Sequence, residues 1–147
     1  MRYFLVLFFL FLSCSKNDNL NNFSLRVEVD GLKKGTLYLE KFSDSSLFKI
    51  DSGYFNGNNS VEFKGKIEDP EIMILSLTYE NELVPKQLPF FVEESEMIVK
   101  TRLKDFGYKV YSKGSKNDSI YREYLEINKK FNNEKLDLIS KSLEFKK

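Results

Sequence analysis

The stretch FSLRVEV at residues 23–29 places an apolar side chain at every second position and a polar one at each position between. A period of two residues is typical of a strand that turns one face to a core and the other to water. We therefore predict a strand here, with Phe23, Leu25, Val27 and Val29 facing the core.

Similar signals continue along the chain. Further strands are predicted around Leu37 and Leu39 and at residues 47–51, 61–63, 72–77, 90–92, 97–101 and 108–111. Residues 72–77 are apolar on both faces except at Ser76, which indicates a central, covered strand. Asn56-Gly57 has the chemistry of a type I′ hairpin turn between its flanking strands.

Short strands separated by turn signals predict a mainly β fold, either an antiparallel β-sandwich or an open barrel, with a C-terminal α-helix. We expect antiparallel pairing because no long helical crossover separates the strands. The predicted domain boundaries are residues 23–116 for the β-sandwich and residues 117–147 for the C-terminal helical segment.

The period changes after Gly114-Ser115, where Asn117 or Asp118 can cap a helix. An apolar stripe follows at steps of four, three and four residues and consists of Ile120, Tyr124, Ile127 and Phe131. We expect Asn132-Asn133 to break the helix, after which Leu136, Ile139 and Leu143 continue the apolar pattern. The favoured interpretation is that the stripe docks on the sheet. The alternative is that it joins a partner or a second copy of the chain.

The N-terminus has the features of an export signal. Arg2 is the only charge in residues 1–13, and residues 4–12 form an apolar run too short to span a bilayer. The segment ending at Ser13-Cys14 resembles a bacterial lipobox, although Phe11 and Leu12 depart from its usual residues. The resemblance implies cleavage between Ser13 and Cys14 and attachment of a diacylglyceryl group to the Cys14 sulfur. The alternative is an ordinary signal peptide with an incidental cysteine.

The polar residues 14–22 are predicted to form a disordered tether. Because several acyl chains hold a protein stably on a bilayer, we expect a mature protein anchored through lipid on Cys14. The expected location is the cell envelope at the outer membrane, on its periplasmic face or at the cell surface.

Composition excludes much chemistry. The chain of 147 residues has no His and a single Cys, so it has no imidazole base, Ser-His-Asp triad or internal disulfide. Removing Arg2 with the signal leaves 22 basic and 22 acidic groups, which argues against nucleic acid as a partner. Asp51 and Glu62 have the outer spacing of a calcium loop, but Gly53 and Phe55 occupy ligand positions between them. We predict no metal, no cofactor and no catalytic residue.

Several segments in order resemble a known family. They are Ile50-Asp51-Ser52, residues 61–65 with Pro70, residues 89–93, and Gly114-Ser115 with Asn117, Asp118 and Tyr121. Together they resemble the β-rich domain of unknown function that precedes the thioredoxin-like domain of bacterial lipoprotein thiol-disulfide oxidoreductases. The resemblance covers about residues 23–130. We expect no thioredoxin-like domain in these 147 residues, because their single Cys cannot form its C-x-x-C pair, so redox activity is not implied.

We therefore expect a non-enzymatic, lipid-anchored β-domain that acts as an interaction or ligand-binding module in the cell envelope, with an unidentified protein or small-molecule partner. One alternative is an accessory or truncated N-terminal part of a thiol-disulfide oxidoreductase system. A second alternative is a glycan hydrolase that uses carboxylates such as Asp51 and Glu93.

Overall fold

The computed structural model describes residues 21–44, 46–80 and 82–144. The predicted signal peptide, its cleavage site at Ser13, the lipidation site Cys14 and most of the predicted tether lie outside these residues. In the part described, two four-stranded sheets pack face to face and a single long helix follows them. The prediction of a mainly β sandwich with a C-terminal helix is confirmed.

The described residues form eight strands before the helix. They are β1 (Phe23–Asp30), β2 (Lys34–Ser43), β3 (Ser46–Asn56), β4 (Ser60–Gly65), β5 (Glu71–Thr78), β6 (Lys86–Val92), β7 (Glu96–Arg102) and β8 (Val110–Lys113). A short 3-10 turn (Leu103–Asp105) precedes β8, and the helix α1 spans Lys116–Glu144. One sheet has the order β4-β1-β7-β8 and the other β3-β2-β5-β6.

The alternating residues of β1 face the core as predicted. Phe23, Leu25, Val27 and Val29 are all buried, and they belong to the same apolar cluster as residues from the facing sheet. The largest fully buried members from that sheet are Leu37, Leu39, Leu75, Leu77, Leu88 and Phe90. Burying such side chains stabilises the fold by about 1.5–3 kcal/mol each, so the inner faces of the two sheets hold the sandwich together.

The strand predicted at residues 72–77 is central, because β5 lies between β2 and β6. Ile74 and Ser76 are buried although they face away from the inter-sheet core. The Ser76 hydroxyl donates a hydrogen bond to the buried carboxylate of Glu40 on β2. Ile72, at the beginning of the strand, departs from the prediction because it is exposed.

One pairing differs from the expected antiparallel pattern, because β1 and β7 run parallel. Parallel neighbours need a long connection. Here the connection is not a helix but the succession of strands from β2 to β6, four of which form the opposite sheet. The absence of a helical crossover therefore did not exclude a parallel pair.

The predicted hairpin at Asn56-Gly57 is wrong. β3 pairs with β2 and β4 pairs with β1, so this turn carries the chain from one sheet to the other. Gly57 has the expected positive φ of 86°. The Asn58 side chain closes the turn by accepting the Asn56 N–H at 2.7 Å and donating to the Ser60 carbonyl at 2.8 Å. The sequence correctly predicted a turn at this point, but β3 and β4 pair with β2 and β1 and not with each other.

Two predictions about the helix are also wrong. α1 continues without a break through Asn132-Asn133. The apolar stripe does not dock on the sheet, since its four side chains are 57–63% exposed. Its first turns, which carry the buried Asp118 and the half-buried Tyr121 and Arg122, are the part of α1 that contacts β6 and β8. No helix in the described residues is long and apolar enough to span a bilayer.

The connection from β8 to α1 gives a sharp test of the fold. Gly114 has a φ of 96°, and a Cβ built on it lies 2.0 Å from the Glu96 carbonyl oxygen. We expect Gly114→Ala to lower the free energy of unfolding by more than about 3 kcal/mol, because the strained conformation and a backbone clash add. Chemical denaturation measures this change.

Gly57→Ala is the matched control, since its φ is 86° and its Cβ meets nothing within 4 Å. Only the conformational cost of about 1–2 kcal/mol applies there. Equal losses in the two variants would contradict the close approach at Gly114.

Candidate functional site

The candidate site begins at the N-terminus of α1, which a serine caps. The Ser115 hydroxyl accepts the backbone N–H of Asp118 at 2.9 Å, as an N-cap residue does. Ser115 is buried. The predicted caps Asn117 and Asp118 are instead the second and third residues of the helix, so the cap lies earlier than predicted.

Asp118 attaches this turn to both sheets. Its side chain is 0% exposed. The carboxylate accepts the Ser112 hydroxyl of β8 at 2.6 Å and the Phe91 N–H of β6 at 3.4 Å. Arg122, one turn further along α1, donates to the same carboxylate at 3.1 and 3.2 Å. Because β8 and β6 belong to different sheets, one carboxylate fixes the helix against both of them.

Arg122 adds a second contact with β6, where its guanidinium donates to the Pro89 carbonyl at 2.7 Å. Next to it, the rings of Tyr121 and Phe91 meet edge to face with centroids 5.7 Å apart. The side chain of Arg122 is 20% exposed, so the ion pair with Asp118 is shielded from water. Pairing and hydrogen bonds offset the large cost of burying these charges.

Glu93, just after β6, also binds the start of the helix. Its carboxylate accepts the backbone N–H of Lys116 at 2.6 Å and the side-chain amide of Asn117 at 2.5 Å. Partial burial alone would raise the pKa of Glu93, but hydrogen bonds from Asn117, Lys116 and Ser115 outweigh it and hold the pKa below its usual value. We call Glu93, Ser112, Ser115, Asp118 and Arg122 the helix base.

Beyond the helix base, α1 presents apolar side chains to water. From Glu123 to Glu144 every residue is exposed except the half-buried Asn128. In addition to the stripe, the exposed large apolar residues of this part are Leu125, Leu136, Leu138, Ile139 and Leu143. Helix packing against a hydrophobic surface is the usual source of stability for such a sequence. This part of α1 therefore exposes apolar side chains that the sandwich does not cover.

The other candidate residues do not form a joint site. Asp51 lines a cleft of about 640 Å³ between the ends of the sheets, whose lining includes Lys41 and Glu71, ion-paired at 2.8 Å. Glu62 is on β4, in the opposite sheet from Asp51, and does not line this cleft. Glu93 binds the helix base instead. Within residues 21–44, 46–80 and 82–144 there is no group of three acidic or thiol side chains that could hold a metal.

Sequence reasoning missed Ser112, Arg122 and the capping role of Ser115. The signals were weak but present. Ser115 and Asp118 have the spacing of a capping box, and Asp118 and Arg122 have the spacing of an ion pair across one helical turn. Both patterns are common on solvated helices, and only the folded chain brings Ser112 and Phe91 to the same carboxylate.

Comparison with known proteins identifies one family. A family model described as a domain of unknown function (DUF4369) matches residues 23–121. The match spans the whole sandwich and ends in the second turn of α1, so it includes most of the helix base. It confirms the resemblance to a β-rich domain of unknown function. No curated protein matches the chain.

The helix base predicts a specific stability effect. Asp118→Asn removes a buried charge and leaves Arg122 and Ser112 without their carboxylate, so we expect the free energy of unfolding to fall by about 2–4 kcal/mol. Glu126→Gln, an exposed change of the same kind on α1, should shift it by less than about 0.5 kcal/mol. Urea denaturation of both variants measures the difference. Equal effects would contradict a structural role for the buried carboxylate.

Proposed function

The chain belongs to the DUF4369 family, and because the function of this domain is unknown, we propose a function from the geometry. We propose a non-catalytic, lipid-anchored β-domain of the cell envelope, held through Cys14, that binds a partner along the exposed part of α1. The sandwich positions the helix, and the helix supplies the binding surface.

One observation carries the proposal, namely the apolar stripe of a helix that, among the described residues, contacts the sandwich at its base. Ile120, Tyr124, Ile127 and Phe131 are each more than half exposed. Most of the stability of an amphipathic helix in a protein comes from packing of its apolar face, and contiguous exposed apolar patches mark sites of interaction. A partner that buries the stripe would stabilise both the helix and the complex.

The N-terminal side of the domain supports anchoring. Asn22 is held on the sandwich by the backbone of Ile67, with hydrogen bonds of 2.6 and 2.8 Å. The backbone N–H of Ser24 then donates to the Ser95 carbonyl at 3.1 Å. The Ser95 hydroxyl in turn donates to the Gly114 carbonyl at 2.8 Å. The tether thus enters at the end of the sandwich from which α1 departs. An anchor on Cys14 would hold the helix base near the bilayer, where partners in the same membrane are concentrated.

The family resemblance favours a second candidate. In this alternative the chain is an accessory or truncated N-terminal part of a thiol-disulfide oxidoreductase system, and α1 docks a separate redox domain. The same exposed helix supports this candidate, because such a domain would cover the apolar stripe. The two candidates differ in the partner and not in the surface used.

The anchor is tested with an alkyne analogue of palmitate fed to cells that produce the full chain. We expect the wild type to incorporate the label and to enter the detergent phase of a two-phase split. Cys14→Ala should do neither, because the thiol is the attachment point. Cys14 has no matched thiol elsewhere in the chain, so Ser15→Ala serves as the control and should label normally. Labelling that survives in Cys14→Ala would contradict the anchor.

The binding surface is tested by a double substitution in the stripe, Ile127→Ser with Phe131→Ser, which removes two apolar side chains. Both side chains are exposed in the single chain, so we expect the melting temperature to change by less than about 2 °C at protein concentrations too dilute for association. Lost apolar burial should nevertheless weaken partner binding at least about tenfold. Formaldehyde cross-linking in cells measures the complexes.

Lys129→Ser with Asn133→Ser changes two exposed residues on the opposite side of α1 and is the control. The control should keep the cross-linked complexes of the wild type. Undiminished complexes in the stripe variant would show that another surface binds the partner.

A further inference from the structure

The stripe and its flanking charges point to one occupant. We propose that α1 pairs with α1 of a second copy of this chain, antiparallel, with the stripe as the seam. This inference rests on the proposed function, because it names the partner of the same surface.

The stripe has the spacing of a coiled-coil seam. Steps of four, three and four residues put Ile120 and Ile127 at d positions and Tyr124 and Phe131 at a positions of a heptad. In an antiparallel pair centred between Leu125 and Glu126, each a residue faces a d residue. Ile120 then packs on Phe131 of the other copy and Tyr124 packs on its Ile127. All four layers are apolar.

The charges beside the seam complement each other in this arrangement. The g positions of α1 are Lys116, Glu123, Lys130 and Asp137, and all four are exposed. In an antiparallel pair g positions face g positions. Glu123 then faces Lys130 of the other copy, and Lys116 faces Asp137. Every one of these contacts joins opposite charges.

None of these four side chains is in an ion pair within the described part of the chain; the ion pair found along α1 joins Asp118 and Arg122. Their charges are therefore available to a partner. Such e and g contacts set the partner and orientation of coiled coils.

Other arrangements of the same helices bring like charges together. A parallel pair places Lys130 opposite Lys135 of the other copy and stacks Glu134 on Glu134 inside the seam. An antiparallel pair shifted by one heptad places Lys130 opposite Lys130 and Glu123 opposite Asp137. Like charges at these positions destabilise a pair. The charge pattern thus selects one orientation and one register.

The register also determines where residues 136–144, the end of α1, lie relative to the other copy. Residue 135 lies level with residue 116 of the other copy along the helix axis, so residues 136–144 extend past the start of the partner's helix. This overhang carries the exposed Leu136, Leu138, Ile139 and Leu143. A seam of two heptads alone is small beside the roughly 1,200 Å² of a stable interface. Apolar contacts made by these residues in the second copy would enlarge it.

The test is photo-cross-linking of the full chain in cells, with p-benzoylphenylalanine in place of Phe131. We expect a product of twice the chain's mass in which position 131 of one copy is joined to the peptide that contains Ile120 of the other. These positions lie eleven residues apart on one rigid helix, about 16 Å, so the link cannot form within a single chain.

Charge variants in the same background test the orientation. Lys130→Glu turns two attractive contacts of the pair into repulsive ones, and we expect about a tenfold loss of the cross-linked product. Lys129→Glu makes the same charge change one residue away, outside the seam, and should keep the product. Glu123→Lys combined with Lys130→Glu restores opposite charges and should recover it.

The outcomes separate this inference from the proposed function. Cross-links between the two Phe131 positions, or equal losses in Lys129→Glu and Lys130→Glu, would overturn the antiparallel pairing. Cross-links from position 131 to a different protein alone would overturn the second copy as occupant and leave the proposed function standing. No cross-link to any protein would overturn both.

Discussion

The structure depends on the buried carboxylate of Asp118. A charge removed from water is costly unless donors surround it. Here the donors come from three elements, because Ser112 lies on β8, the Phe91 N–H on β6 and Arg122 on α1 itself. Satisfying that carboxylate requires the two sheets and the helix to meet at one point. The start of α1 therefore has a defined position relative to the sandwich, although the helix contributes little to the apolar core.

This polar attachment explains why the rest of the helix is exposed. The residues of α1 that face the sandwich are those of its first turns, and the apolar stripe points elsewhere. A helix held by hydrophobic docking would have hidden the same stripe. Fixing the helix by its base leaves its apolar surface accessible to the proposed partner, which would bind a helix that is already formed. An anchored tether at the same end of the sandwich would add proximity to the membrane.

Local patterns in the sequence predicted much of the fold, and contacts between distant segments explain the errors. Alternation at residues 23–29 and the apolar run at 72–77 depend on neighbouring residues, so β1 and β5 were predictable. Asn56-Gly57 predicted a real turn but the wrong strand pairing, because the partners of β3 and β4 lie elsewhere in the chain. The helix period predicted α1. Its exposed stripe was not predictable, since nothing in the sequence distinguishes a buried Asp118 from a solvated one.

The most direct test of this account is a double-mutant cycle between Ser112 and Asp118, which join β8 to α1. Ser112→Ala, Asp118→Asn and the double variant are compared with the wild type by urea denaturation. A hydroxyl that donates to a buried carboxylate at 2.6 Å predicts a coupling energy of about 1–3 kcal/mol. Effects of the two substitutions that add within about 0.5 kcal/mol would contradict the claim that this carboxylate fixes the helix to the sandwich.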